Sequence, residues 1–378
     1  PDSLCSYSCL MSFLLFVLLF SLALYICFTI YFWTGLKRLK SNKNILGYYP
    51  PVSIVVAARN EELFLPGLLS ALAKQDYPAD KLEIIIADDR STDKTWECIK
   101  NYTNRFPRFS GVRITELSDN MSPKKNALSR AIHLSSGDII ISTDADCLVP
   151  ETWTSSMVSL FEKNTGIVVG YSEIDQSQKS FLCHYQAVDF LALMSANAGS
   201  LGWRNAWSGS GQNLAYRRSD FDRIKGFTPV AHQVSGDDMY LVQSIAKKHT
   251  ATFNASKEGF VKTAPVLSIK QYLNQRIRWA SNARKLANQN IFFLFFLFSA
   301  FLCNTSLFLG FFSPSMFSFL PVLLGIKIFF DALVIQAGST KFNTPVNILT
   351  FIVWSLFQPV YIPFIGLSGL IGKFHWKA

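Results

Sequence analysis

Asp138-Ile139-Ile140-Ile141-Ser142-Thr143-Asp144-Ala145-Asp146 is the stretch from which the fold is read. The isoleucine run predicts a short buried strand. At its end stand two carboxylates one residue apart. The carboxyl ends of strands in an open α/β sheet are where ligands bind. Two hard oxygen donors suit Mg²⁺ or Mn²⁺ bridged to substrate phosphates. Aspartate is also common in turns, so the surrounding chain has to decide what the pair is for.

Upstream, Val52 to Ala58 is a β-branched run that predicts a first buried strand. Arg59-Asn60-Glu61-Glu62 then opens a helical pattern through Leu65, Leu68, Leu69 and Leu72. Leu82 to Ala87 predicts a second strand, closed by Asp88-Asp89, with Ser91 or Thr92 expected to cap the next helix. Val112 to Leu117 predicts a third strand, and Ser122-Pro123 starts a helix with Lys124, Lys125, Ala127 and Leu128. Strands alternating with helices predict an α/β fold with a mostly parallel sheet. The first, second and fourth strands then deliver Arg59 and Glu61, Asp88 and Asp89, and Asp144 and Asp146 to one edge. That edge suits a nucleotide, but no GxGxxG or GxxxxGK[ST] is present.

Downstream, the pattern predicts a helix near Glu151 to Lys163 and a strand from Gly166 to Glu173. Phe181 to Ala198 has helical spacing through Phe181, Tyr185, Val188 and Leu191, equally compatible with core and with a membrane surface. Ser208 to Asn213 is glycine-rich: a plain hairpin, or a close backbone approach to substrate. Asp237-Asp238 opens a helix from Met239 to Lys248, where acidic residues also answer the helix dipole. A basic helix from Leu267 to Leu286 carries Gln275, Arg278 and Trp279 at spacings that share one face. An amide, a guanidinium and an indole on one face can hold a diphosphate and stack on a ring. The same helix can equally snorkel at a membrane edge.

The chain has 378 residues, 49% of them hydrophobic, with 33 Phe, enough for one large domain or two small ones. The apolar excess lies at the two ends. Cys9 to Trp33 has no charge and is long enough to cross a bilayer; it is too long for the apolar part of a cleavable signal. The chain begins at Pro1 rather than Met, so residues upstream of Pro1 are expected. Three further segments, Ile291 to Phe312, Met316 to Ala337 and Val346 to Ile371, follow the basic helix. The second of these contains Lys327 and Asp331, expected to pair on one helix face. The last contains Pro359 and Pro363, expected as a kinked helix or a re-entrant hairpin. Lys37, Arg38, Lys40 and Lys43 on one side, and Arg276, Arg278, Arg284 and Lys285 on the other, predict a cytoplasmic central region in a multi-pass membrane protein.

The net charge of +10 reflects this basic excess and suits anionic lipid and phosphate-bearing substrates. A nucleic-acid partner is not supported, because no known motif or dense basic run occurs. The seven cysteines, Cys5, Cys9, Cys27, Cys98, Cys147, Cys183 and Cys303, show no CxxC or zinc spacing and are expected reduced.

Taken in order, Val52–Glu62, Asp88-Asp89, Lys124 with Ala127-Leu128, Asp144-Ala145-Asp146, Gly211–Tyr216, Asp237-Asp238 and Gln275–Trp279 resemble the landmarks of a membrane-bound family 2 glycosyltransferase with a GT-A domain. The set is similar to that of ceramide glucosyltransferases and of cellulose, chitin and hyaluronan synthases. The resemblance covers roughly residues 50–280. It implies a transmembrane helix over 9–33, a GT-A domain over 50–265, an interfacial helix over 266–289 and a membrane region over 290–372.

It also implies roles. Ala58, Arg59, Glu61, Asp88, Asp89, Lys124 and Asp144 would bind a nucleotide-sugar donor, in particular a UDP-sugar. Asp144 and Asp146 would hold Mg²⁺ or Mn²⁺. Asp238 would be the general base, with Asp237 beside it raising its pKa. Gly211, Asn213, Gln275, Arg278 and Trp279 would meet the diphosphate and the acceptor. Direct attack by one activated hydroxyl implies inversion and a β-linkage. The third acidic motif often has Glu where this chain has Asp237, which changes the reach of that carboxylate. A membrane-associated lipid acceptor, giving a glycolipid, fits the small number of apolar segments; a processive polysaccharide synthase needs more of them to line a channel. A non-catalytic nucleotide-sugar-binding scaffold is disfavoured by the presence of Asp144, Asp146 and Asp238. A transporter is disfavoured by the lack of paired broken helices.

Overall fold

In the computed structural model, the described residues are 2–39, 47–116, 118, 120–282 and 290–371, with the backbone alone for 2–12 and 315. Lys40, Lys43, Leu117, Arg284, Lys285 and Leu286 lie outside them, as do the side chains of Cys5 and Cys9. The chain forms two compact units: Leu39–Asp175 with Ser200–Pro265, and Pro1–Arg38 with Gln176–Gly199 and Val266–Ala378. The predicted 50–265 domain is therefore interrupted by residues 176–199.

After a first helix, α1 (Asp2–Arg38), the α/β unit runs β1 (Val52–Ala58), α2 (Leu65–Leu72), β2 (Leu82–Asp89), α3 (Thr95–Arg105), β3 (Phe109–Ile114), α4 (Pro123–Leu134) and β4 (Ile139–Asp144). It continues through β5 (Cys147–Leu148), α5 (Trp153–Val158), β6 (Thr165–Gly170) and β7 (Ser172–Ile174). Helix α6 (Phe181–Gly202) falls mostly in the other unit. The α/β unit then closes with β8 (Leu214–Arg217), α7 (Arg218–Arg223), α8 (Asp237–Ala246), β9 (Thr250–Asn254) and β10 (Val261–Thr263). The main sheet has the order β3-β2-β1-β4-β8-β6-β9, and in it only β8 runs against its neighbours. A small second sheet is ordered β5-β10-β7.

The isoleucine and valine runs form strands buried on both faces, which is why they do not alternate with polar residues. Ile54, Val56, Ile84, Ile86 and Ile141 pack with Leu65, Leu68, Leu69 and Leu72 of α2 and with Trp153 of α5. Ala58 pairs with Asp88, and Ala57 with Asp144, so β1, β2 and β4 end level. The three polar clusters thus share one edge, as the alternating pattern requires.

Several boundaries differ from expectation. The third strand is Phe109–Ile114, three residues early. The expected strand Gly166 to Glu173 is two strands, β6 and β7, in different sheets. Helix α5 covers only Trp153–Val158. Neither Ser91 nor Thr92 caps α3; Asp93 Oδ1 accepts from Thr95 N at 2.9 Å instead.

The second unit contains α6, α9 (Ile269–Ala280), α10 (Ile291–Gly310), α11 (Pro314–Phe317), α12 (Leu320–Phe342) and α13 (Ile348–Ile371) besides α1. Among the described residues, four helices, Phe13–Arg38, α10, α12 and α13, are long and apolar enough to cross a bilayer. Phe28 and Phe32 of α1 pack edge-on against Phe296 of α10. Leu18 and Leu22 pack with Leu320 and Leu323 of α12. Lys327 and Asp331 form the expected pair at 2.7 Å, and Tyr25 donates to the same carboxylate at 2.7 Å. The last segment is one helix with Pro359 and Pro363 inside it, not a hairpin.

Helices α6, α9 and α13 are joined by a buried carboxylate. Asp189 accepts from Tyr272 Oη at 2.9 Å, Arg276 Nε at 2.6 Å and Trp354 Nε1 at 3.0 Å. Val188 and Leu191 of α6 are buried and Phe181 is exposed, so the core reading holds for the middle of that helix.

Candidate active site

The edge of the sheet is built by loops laced to each other through backbone amides. Asn60 N donates to Ser91 Oγ at 3.0 Å, Glu61 N to Thr95 Oγ1 at 2.8 Å, and Thr92 N to Asn60 Oδ1 at 2.9 Å. Asn60 and Arg90, just past the ends of β1 and β2, have φ of 54° and 56°. Asparagine tolerates this left-handed geometry better than most residues. The lacing fixes Arg59, Glu61, Asp88 and Asp89 around one corner, beside the buried Ala58. Asp89 takes both Arg90 contacts, at 2.8 and 3.1 Å, and lies 3.8 Å from Arg59 Nη1.

Asp88 is fully buried, and among the described residues neither of its oxygens has a close hydrogen-bond partner, although Ser91 is near enough to favour its charge; Arg113 Nε is 3.6 Å away. Burial pushes its carboxyl above the usual range. Among the described residues, Arg59 Nε is also buried without a partner. Orphaned polar atoms of this kind are costly unless a ligand completes them.

The acidic half of the edge centres on Lys124, in the first turn of α4. Its Nζ is 2.6 Å from Asp144 Oδ1. Burial opposes the charge of Lys124, but Asp144, Asp237 and Asp238 outweigh it and raise the pKa. A Cβ added at Gly211 would stand 3.7 Å from Lys124 Nζ and 3.9 Å from Asp238 Cβ, so this glycine faces both. Gly211 N donates to Asp238 Oδ2 at 3.2 Å, and Met239 N to its Oδ1 at 2.7 Å. Asp238 thus occupies the first turn of α8, entered through Gly236 at φ +88°, a conformation suited to glycine. Burial and the neighbouring Asp237 raise its pKa to about 6.

Asp144 and Asp146 are only partly exposed and offer oxygen donors alone. Among the described residues no third His, Cys, Asp or Glu gathers with them. Two carboxylates fit Mg²⁺ as donors, an ion that rarely sits in all-protein cages, and the oxygen-only set also suits Mn²⁺.

Sequence reasoning missed Lys125. It is buried, donates to Gln233 O and lies 3.8 Å from Asp237 Oδ1. The signal was available: two lysines in the first turn of a helix oppose its dipole unless paired with acids. Here consecutive lysines reach consecutive acidic motifs.

Asn213 stands immediately before β8. Its side chain is fully buried, donates to Tyr171 O and Gly259 O at 2.8 Å each, and accepts from Trp153 Nε1 at 2.9 Å. Its side-chain amide is spent on the scaffold, so it braces the loop.

In the second unit, Gln275, Arg278 and Trp279 all lie on α9 and are half-buried. Gln275 Oε1 accepts from Arg276 Nη1 at 3.1 Å. The Trp279 ring packs against Phe190 with centroids 6.1 Å apart, and the Arg276 guanidinium sits 4.2 Å from its centroid. Arg276, between the motif positions, is the buried arginine of this helix.

Residues 53–225 match the sequence family described as Glycosyl transferase family 2. The chain carries a family 2 glycosyltransferase domain. The probable glycosyltransferase YdaM of Bacillus subtilis is 29% identical over 182 residues, covering 47% of this chain and 43% of that protein. A beta-monoglucosyldiacylglycerol synthase of Synechocystis sp. is 33% identical over 117 residues, 31% of this chain and 24% of that protein. The chain thus matches less than half the length of these curated relatives. A mannosyltransferase from Pyrobaculum calidifontis, solved with GDP-Man and Mn²⁺, superposes with a TM-score of 0.57 at 21% identity, covering 93% of this chain and 99% of that one. The glycosyltransferase domain therefore has the GT-A fold, a mixed, mostly parallel sheet, and four candidate transmembrane helices accompany it.

Proposed function

We propose that the chain is an inverting glycosyltransferase that moves a sugar from a UDP-sugar to a lipid acceptor at a membrane, forming a β-glycosidic bond. The observation that carries this reading is Asp238: a carboxylate of raised pKa, oriented by two backbone N–H groups and facing Lys124 beside Asp144. A base whose pKa lies near the working pH is suited to take a hydroxyl proton.

In this reading Asp88 and Arg59 complete their unmet hydrogen bonds with the nucleobase and neighbouring groups of the donor. Lys124 orients the donor diphosphate. Asp144 and Asp146 hold the divalent ion, which offsets charge on the leaving diphosphate. The acceptor hydroxyl gives its proton to Asp238 as its oxygen bonds to the anomeric carbon; the bond from that carbon to the UDP oxygen breaks, and UDP departs with the electron pair. One displacement inverts the configuration. The charge of Asp237, held 3.8 Å from Lys125, keeps its neighbour's pKa raised. On the resemblance alone, Gln275, Arg278 and Trp279 contact the diphosphate and the acceptor.

One comparison supports a lipid acceptor over a growing polysaccharide: a relative is named for glucosyldiacylglycerol synthesis. A central domain on the cytoplasmic side follows from the basic flanks. The test is purified protein in lipid nanodiscs with a panel of UDP-sugars, Mn²⁺ and a lipid extract, reading UDP release and product mass. One added hexose on a lipid supports the reading; a ladder of masses favours the processive alternative, and donor binding without turnover favours a scaffold.

A further inference from the structure

Helices α1 and α12 run parallel: Leu18 and Leu22 meet Leu320 and Leu323, Tyr25 meets Asp331, and Trp33 meets the last turns of α12. Where both helices end, they enclose a groove of about 330 Å³. Its apolar floor includes Leu333; its rim carries Trp33, Lys37, Gln336, Thr340 and Lys341. The Lys37 ammonium stacks 3.4 Å from the Trp33 ring centroid, and Gln336 Nε2 reaches Thr340 Oγ1 at 3.4 Å. Among the described residues, no acidic side chain lines the groove.

We propose that this groove binds the phosphate headgroup of an anionic membrane lipid. Both flanking helices are long and apolar enough to span, so their last turns belong at headgroup depth, where an indole is also favoured. Lysines at helix ends commonly snorkel toward water. Here two from different helices line one concavity with an amide and a hydroxyl between them, an arrangement that matches the charge and oxygens of a phosphodiester. The apolar floor takes the start of an acyl chain. The site does not depend on the glycosyl-transfer reading.

The test is native mass spectrometry of the full chain released from phosphatidylcholine nanodiscs doped with phosphatidylglycerol. Wild type retains phosphatidylglycerol over phosphatidylcholine. Lys37→Gln and Lys341→Gln each weaken that retention about fivefold, the effect of one lysine near an anionic surface. Lys341→Arg retains it. Lys262→Gln, an exposed lysine of the α/β unit, leaves it unchanged. Thermal melting in the same nanodiscs, unchanged by the substitutions, assigns the loss to binding. The proposal is overturned if the Lys37→Gln, Lys341→Gln double variant retains phosphatidylglycerol as wild type does. It is also overturned if inorganic phosphate binds lipid-free protein as tightly as the lipid does.

Discussion

At the scale of single residues, the site is a set of charges whose pairings decide their chemistry. Asp238 has a folded pKa of about 6 against an ordinary 3.8. A carboxyl with a raised folded pKa costs stability once it ionises: the cost is absent below 3.8, grows through the interval and is complete above about 6. Asp238→Asn is therefore expected to melt higher than wild type at pH 7, by on the order of 1 kcal/mol, with no gain at pH 3.5. Differential scanning calorimetry at the two pH values checks this. The wild-type transfer rate should fall as pH drops below about 6, because the base is then protonated. Gly211→Ala adds a methyl at ordinary contact distance from Lys124 and Asp238. It should fold and melt normally while losing turnover, measured as UDP release per folded molecule. Asn213→Ala should do the reverse. It leaves the Trp153 indole and two carbonyls unpaired in the core and should cost about 2–4 kcal/mol in denaturant unfolding, with donor affinity of the folded fraction unchanged.

At the scale of elements, what was legible in the sequence follows from what period and composition record. Strands β1, β2 and β4 are rich in β-branched residues, and β1 was read to the residue; β3, Phe-Ser-Gly-Val-Arg-Ile, has only two and was placed three residues late. The acidic ends of β2 and β4 followed from that alternation. Strands β5, β7 and β10 are two or three residues long and carry no period, so the small sheet was invisible, and β6 merged with β7. The roles of Lys125 and Asn213 depend on partners about 110 and 40 to 60 positions away, which spacing along the chain does not encode. The same limit hid Asp189, which looks like one polar position on an apolar helix. Arg276→Ala should cost about 3–5 kcal/mol, because it strands the Asp189 carboxylate in a buried site. Adding Asp189→Leu should recover much of that loss, read from melting of the single and double variants in one detergent.

At the scale of the whole molecule, a GT-A domain is combined with four helices apolar enough for a bilayer. The composition announced this through its two phenylalanine-rich ends, and the four apolar segments expected from sequence are the four found. Removing divalent ions with EDTA should abolish transfer, and adding Mn²⁺ or Mg²⁺ should restore it. If Asp144 and Asp146 hold the ion as proposed, Asp144→Asn should raise the metal concentration needed for half-maximal rate, since it removes one of the two carboxylates assigned to it. The most direct test of the central claim compares wild type with Asp238→Asn for UDP-sugar affinity by calorimetry and for kcat by UDP release. The account predicts a donor Kd within a few-fold of wild type and a kcat reduced at least about 10²-fold, the usual contribution of a general base. Full turnover by Asp238→Asn, with its donor affinity intact, would contradict it.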